Sequence, residues 1–240
     1  MRFALAALLV GVLGSVSVSA EKATTRPGEA PEMLTPRPGT GAAPQPEYTA
    51  VRFNEDYSYL RDPARRTDFF DPIKYVPLAD MQGWYASFGG QVRYRYEWFN
   101  NALWGAGPQD DDGYHLLRIL GHADLHFGPH VRVFVQAISA LADDREGGAR
   151  IGLDSDEFDI HQAFADLTLD IGDAKLTIRG GRQNLLYGAQ RLISPLDWSN
   201  ARRTCDGGRL ILNWPRNNTL DFFYVHPVTV DAEQLNSNND

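Results

Sequence analysis

One cysteine, Cys205, occurs in 240 residues, so no internal disulfide framework holds this chain. Lysine is almost as scarce: Lys22, Lys74 and Lys175 stand beside 20 arginines. No long apolar run occurs after Val18, and the mean hydropathy of −0.36 excludes a bundle of transmembrane helices. Also missing are a Gly-x-Ser-x-Gly elbow, a Gly-rich phosphate loop and a paired-Cys zinc spacing. No Ser/His pair stands out as a hydrolase would require, so neither an enzyme nor a cofactor is expected. The net charge of −8, with arginines alternating with apolar residues, also argues against a nucleic-acid partner.

What is present begins with a leader. Arg2 precedes the apolar stretch Phe3 to Val18, and Val18-Ser19-Ala20 offers small residues for cleavage before Glu21. Residues 1–20 therefore read as a secretory signal peptide; the run is short for a membrane anchor. Residues 21–50, rich in Pro, Gly, Ala and Thr, read as a disordered linker. Residues 51–82 mix Tyr and Phe with charges and two Asp-Pro steps, Asp62-Pro63 and Asp71-Pro72. They read as an irregular periplasmic-side segment packed against or inside the strands of the C-terminal part.

From residue 83 the pattern has period two. Trp84, Ala86, Phe88, Val92, Tyr94, Tyr96 and Trp98 alternate with Ser87, Gln91, Arg93, Arg95 and Glu97. One face is apolar and aromatic and the other polar, over a length that suits a tilted membrane strand with aromatic girdles at its ends. The alternation recurs. His115, Leu117, Ile119 and Leu125 oppose Arg118, His122, Asp124 and His126. Val131, Val133 and Val135 oppose Arg132 and Gln136. Ala163, Ala165, Leu167 and Leu169 oppose Gln162, Asp166, Thr168 and Asp170, and Leu176 and Ile178 oppose Lys175, Thr177 and Arg179. Two weaker strands lie near 209–214 and 219–226.

Connections alternate between long (100–113, 142–157, 183–208) and tight (128–130, 172–173, 215–218), as in an up-and-down barrel with short periplasmic turns and longer outer loops. A soluble lipocalin-like barrel would show the same alternation with its faces reversed. The polar-face arginines, the aromatic strand ends and the leader favour the membrane form. The expectation is an all-β, antiparallel up-and-down transmembrane β-barrel of outer-membrane type, over residues 83–240. It is incomplete in this chain, with about seven strands and an end in what reads as an outer loop.

Arg93, Arg95, Arg118, Arg132 and Arg179 fall on the inferred lumen face, and Arg182, Arg191, Arg202 and Arg203 in or beside the 183–208 loop, which could fold inward. They either face a passing anion or pair with Glu97, Asp124, Asp166 and Asp170; a mixture is expected. The acids cluster in loops: Asp110-Asp111-Asp112, Asp143-Asp144, and Asp154, Asp156, Glu157 and Asp159. None matches the EF-hand spacing, so solvated loops are favoured over calcium sites. His122-x-Asp124-x-His126 places three potential ligands on one strand face, yet a polar lumen surface is the favoured reading and no metal is assigned.

Several segments resemble the alginate export family. They are Asn54-Glu55-Asp56-Tyr57-Ser58-Tyr59-Leu60, Lys74-Tyr75-Val76-Pro77-Leu78, and the strand from Gly89 to Glu97. The more specific block is Gly181-Arg182-Gln183-Asn184-Leu185-Leu186-Tyr187-Gly188-Ala189-Gln190-Arg191-Leu192 with Asp197-Trp198-Ser199-Asn200, Arg202-Arg203 and Asp206-Gly207. The resemblance implies an outer-membrane barrel of about eighteen strands that exports alginate, a linear polyuronate, through an arginine-lined lumen gated by loops. The nine arginines above are then the substrate-binding set. The implied partners are an anionic polysaccharide, outer-membrane lipid and lipopolysaccharide, with room for periplasmic export partners. A general or small-anion porin and a surface-display barrel stay open as alternatives on the same scaffold.

Overall fold

A computed structural model describes residues 48–107 and 113–237. The expected leader, most of the linker and Asp110-Asp111-Asp112 lie outside the described residues. The chain forms one antiparallel sheet in sequence order: β1 (Val76–Pro77), β2 (Trp84–Glu97), β3 (Tyr114–Phe127), β4 (Val131–Asp143), β5 (Asp156–Ile171), β6 (Ala174–Gln183), β7 (Cys205–Trp214) and β8 (Asn218–Pro227). The seven amphipathic strands expected from the sequence are β2 to β8. The two residues of β1, too few to carry a period, pair with Tyr85 and Ala86 of β2. Among the described residues nothing pairs β8 with β1 or β2, so the sheet is not closed. No described helix is long and apolar enough to cross a membrane.

Register explains the two faces. Residues directly opposite one another across antiparallel strands share a face. One row runs Trp84, Phe127, Val131, Leu167, Ile178, Leu210 and Phe222, apolar on every strand. Val131, Leu167, Ile178, Leu210 and Phe222 in it are exposed, as are Val92, Tyr94 and Tyr96 further along β2. The next row, one residue on, is Tyr85, His126, Arg132, Asp166, Arg179, Arg209 and Phe223. Every strand from β2 to β8 thus turns its apolar side one way and its charged or aromatic side the other. Tight turns hold this register. Between β7 and β8, Arg216 and Asn217 both take left-handed φ of 72° and 58°, a twist that matches a hairpin.

The polar face is covered by the chain itself. Residues 48–77 form three 3₁₀ turns, Arg52–Asn54, Ser58–Arg61 and Pro63–Arg65, and a helical turn, Asp71–Lys74, before β1. Phe53 packs edge-on against the stacked pair Phe134 and Phe164, with ring centroids 5.9 and 5.2 Å away. Tyr75 stacks on Tyr85 at 4.5 Å, and Tyr85 on His126 at 4.3 Å. Residues 51–77 therefore pack against the polar face of the sheet. Phe134, Phe164 and Leu120 are apolar residues on the polar face, and each meets this segment or an inward loop.

Gly181 and Gly207 sit opposite each other on β6 and β7. Their φ values are +127° and +152°, and an added Cβ would strike the Ala163 and Tyr224 carbonyls. Glycine alone fits this close approach where the two strands open into their connecting loop.

Candidate functional site

The β6–β7 loop, residues 184–204, turns over the polar face of β2, β3 and β4. Three consecutive carbonyls, of Asp197, Trp198 and Ser199, point at guanidiniums from β2 and β3. Arg93 donates through Nη1 to the Asp197 carbonyl at 2.6 Å and through Nη2 to the Ser199 carbonyl. Arg95 donates to the Trp198 carbonyl at 2.5 Å and pairs with Glu97 at 2.6 Å. Arg118 donates to the carbonyls of Asp197 (3.0 Å) and Ser199 (2.9 Å), to Gln91 Oε1 and to the Asp197 carboxylate. A run of carbonyls aimed one way is a partial negative charge, and this explains why a loop docks onto arginines at all.

Asn200 fixes the loop. Its Nδ2 group lies 3.2, 3.0 and 2.9 Å from the carbonyls of Leu117, Leu141 and Asp154. The backbone N–H groups of Asn200 and Ala201 both donate to the Leu153 carbonyl. Ala201 packs on Leu120, Ile138 and Ala140. The loop is thereby tied to β3, β4 and the 144–155 loop through buried groups.

Arg202 closes the cluster. It is 2% exposed, donates to the Ala50 carbonyl at 2.9 Å and lies 3.5 Å from Asp197 Oδ1. Burial, opposed by Asp197 and aided by repulsion from Arg52 and Arg93, lowers its pKa to about 10, which leaves it charged at neutral pH. Among the described residues, Arg93, Arg95, Arg118 and Arg202 together pair with two carboxylates, Asp197 and Glu97. The Nε groups of all four are buried and make no hydrogen bond among the described residues.

Other sequence-expected arginines are spent on acids. Arg132 grips Asp124 at 2.7 and 2.6 Å and donates to the Phe53 carbonyl. Arg179 grips Asp166 through two bonds of 2.7 Å, its guanidinium 3.8 Å from the Phe164 ring centroid and 4.3 Å from that of Phe53. Arg182 binds Asp206 and Asp159 and donates to the Asn236 carbonyl. Of the nine, only Arg191 and Arg203 are exposed. The expected acidic partners Glu97, Asp124 and Asp166 are all engaged, whereas Asp170 is exposed.

His122, Asp124 and His126 do not converge on a common centre. His122 stacks on Phe134, Asp124 is held by Arg132, and His126 stacks on Tyr85 while lying 3.2 Å from Asp124. Three of the loop acids are likewise engaged, Asp154 by Arg150 and Arg145 and Asp156 and Asp159 by Asn236, whereas Asp143, Asp144 and Glu157 are exposed.

Sequence reasoning missed Arg209. It lies on the polar face opposite Arg179, grips Asp221 of β8 through both Nε and Nη2, and has the Tyr187 hydroxyl donating to the same carboxylate at 2.8 Å. The signal was available as an arginine and an aspartate nearly opposite each other across a tight turn. Asp197 and Asn200 were also missed as wall-binding residues, since a loop has no period to mark its inward positions.

A strictly sequential antiparallel sheet, apolar on one face and laced with guanidiniums and carboxylates on the other, is the wall of an up-and-down β-barrel. Comparison with protein families matches residues 84–240 to the family described as Alginate export, and the chain belongs to the alginate export family, whose members are polysaccharide transporters and not enzymes. Neither a curated protein nor a solved structure matches it.

Proposed function

We propose that this chain forms one side of an outer-membrane channel that exports an alginate-like polyuronate past the arginine-bearing face of the sheet. Residues 1–20 direct export to the periplasm and 21–50 serve as a linker. Residues 51–82 fill the inner side of the wall, and 83–240 build it. The apolar face meets lipid and lipopolysaccharide, and the tight turns lie on the periplasmic side, within reach of any export partner.

The observation that carries this reading is the imbalance where the 184–204 loop meets the sheet: among the described residues, four guanidiniums against two carboxylates. A polyuronate carries one carboxylate per sugar. It needs positive charge that is spread out and held loosely enough for release. Arg93, Arg95, Arg118 and Arg202 supply surplus charge, and Arg191 and Arg203 present exposed guanidiniums. Arg132, Arg179 and Arg182, already bonded to carboxylates, contribute field and rigidity more than grip.

The test is planar-bilayer conductance of the full-length protein with and without oligomannuronate. Concentration-dependent block that is lost in Arg95→Ala and Arg203→Ala supports polyuronate export. Anion-selective current indifferent to the polymer would indicate a small-anion porin, and absence of current a barrel that only displays loops.

A further inference from the structure

The arginine cluster already holds an anion of its own. We infer that the Asp197 side chain is an internal competitor, occupying the position a uronate carboxylate takes in the Arg93–Arg95–Arg118–Arg202 cluster, and that it swings out when polymer arrives. The inference rests on the polyuronate reading of the channel.

Three features of the site support an exchange. First, Asp197 is bound asymmetrically. Its partners Arg118 and Arg202 are 0% and 2% exposed, whereas its own side chain is 39% exposed. The arginines cannot leave, but the carboxylate has open space beside it. Second, the contact is loose for a buried guanidinium. Arg118 reaches Oδ1 at 3.0 Å and Arg202 reaches the same oxygen at 3.5 Å. By contrast, Arg132 and Arg179 grip their acids through two bonds each, none longer than 2.7 Å. Bidentate pairs of that kind are the strong ones.

Third, the loop need not move for the side chain to move. Its hold on the wall runs through Asn200 Nδ2, the Asn200 and Ala201 N–H groups and the Asp197–Ser199 carbonyls. None of these is the Asp197 carboxylate. Rotation about its side-chain bonds would take the carboxylate away from Arg118 Nη2, which keeps Gln91 Oε1, and from the Arg202 guanidinium, while the backbone stays docked. An incoming carboxylate would then find one fully desolvated guanidinium pair at a time, and the same aspartate would return to expel it. Such an exchange keeps residence short without weakening the field.

The experiment uses the full-length protein in planar bilayers, with a defined oligomannuronate as the charged probe and a malto-oligosaccharide of equal length as the neutral one. An internal ligand seated nine-tenths of the time weakens apparent affinity about tenfold. Asp197→Asn should therefore lower the half-blocking oligomannuronate concentration about tenfold and leave malto-oligosaccharide unaffected. Asp197→Glu, which restores the charge, should move it back toward the wild-type value. Three results overturn the inference. If Asp197→Asn leaves oligomannuronate block unchanged or weaker while Arg95→Ala still abolishes it, the competitor idea fails and the arginine reading stands. Equal tightening for both probes would mean that the loop has merely loosened. If oligomannuronate does not block the wild type, the polyuronate reading falls and takes the inference with it.

Discussion

Asn200 offers the sharpest test of the inward loop, because one amide holds three separate pieces of chain. Truncation to alanine removes the donor from the carbonyls of Leu117, Leu141 and Asp154. Two N–H protons serve those three acceptors, so two effective hydrogen bonds are lost in a fully buried site. At roughly 1–2 kcal/mol each, including the cost of stranding a buried acceptor, the loop loses about 2–4 kcal/mol of its hold. That raises the population of the undocked loop about 30- to 1,000-fold. The assay is limited trypsinolysis at the Arg202-Arg203 bond, which is protected because the Arg202 side chain is buried. When opening and closing are fast, the cleavage rate follows the open population, so Asn200→Ala should be cut at least about 30-fold faster there. The urea midpoint of the whole sheet should change little, since the β2 to β8 ladder does not use Asn200. Unchanged cleavage would refute the latch; a parallel collapse of the sheet would refute its local character.

Three further outcomes are expected from the same contacts. Phe53→Ala should destabilise the packing of residues 48–57 on the wall by about 3–5 kcal/mol, seen as faster amide exchange at 51–57 with the strands still protected. Arg179→Ala strands the buried Asp166 carboxylate and should cost about 3–5 kcal/mol in urea unfolding, whereas Arg179→Met with Asp166→Leu should be milder than either single change. At Asp154, burial pushes the carboxyl up, but hydrogen bonds from Arg150 and the nearby Arg145 charge outweigh it and hold the pKa below its usual 3.8. The group's contribution to the 144–155 loop is therefore complete at neutral pH and lost only as pH falls below 3.8. The Arg150 amide resonance, whose N–H donates to Asp154, should hold steady until that range; a transition near pH 6 would contradict the pairing.

The wall was legible because period two survives from β2 to β8, and the acid partners of Arg95, Arg132 and Arg179 follow from that register. The interior was harder to read. Phe134 and Phe164 interrupt a polar face, and only the position of Phe53 explains them. Residues 48–77 have no period because they are held by 3₁₀ turns and aromatic stacks, so nothing in their pattern fixes which side of the sheet they take. Arg209 was passed over because β7 alternates weakly, with Ile211 beside Arg209 on the inner face. The docking of 184–204 depends on backbone carbonyls, which every residue carries, and so leaves no mark in side-chain pattern.

The arrangement also bears on how a charged wall stays both stable and usable. An arginine left bare on a desolvated surface is costly, and one locked bidentately to a carboxylate is no longer free to bind a passing anion. The chain divides the two duties by partner type. Arg132, Arg179 and Arg209 each take one carboxylate and Arg182 takes two, so no surplus positive charge is left at these positions. Arg93 takes carbonyls of the 184–204 loop alone, and Arg95 and Arg118 add such carbonyls to a single carboxylate each. A carbonyl satisfies the donor geometry but carries no net charge, so the guanidinium is held in place with its positive field intact. In the proposed channel, the 184–204 loop is then the element that lets surplus charge persist, and replacing carboxylate partners by carbonyls is how a wall rich in arginine keeps some of it for a polyanion.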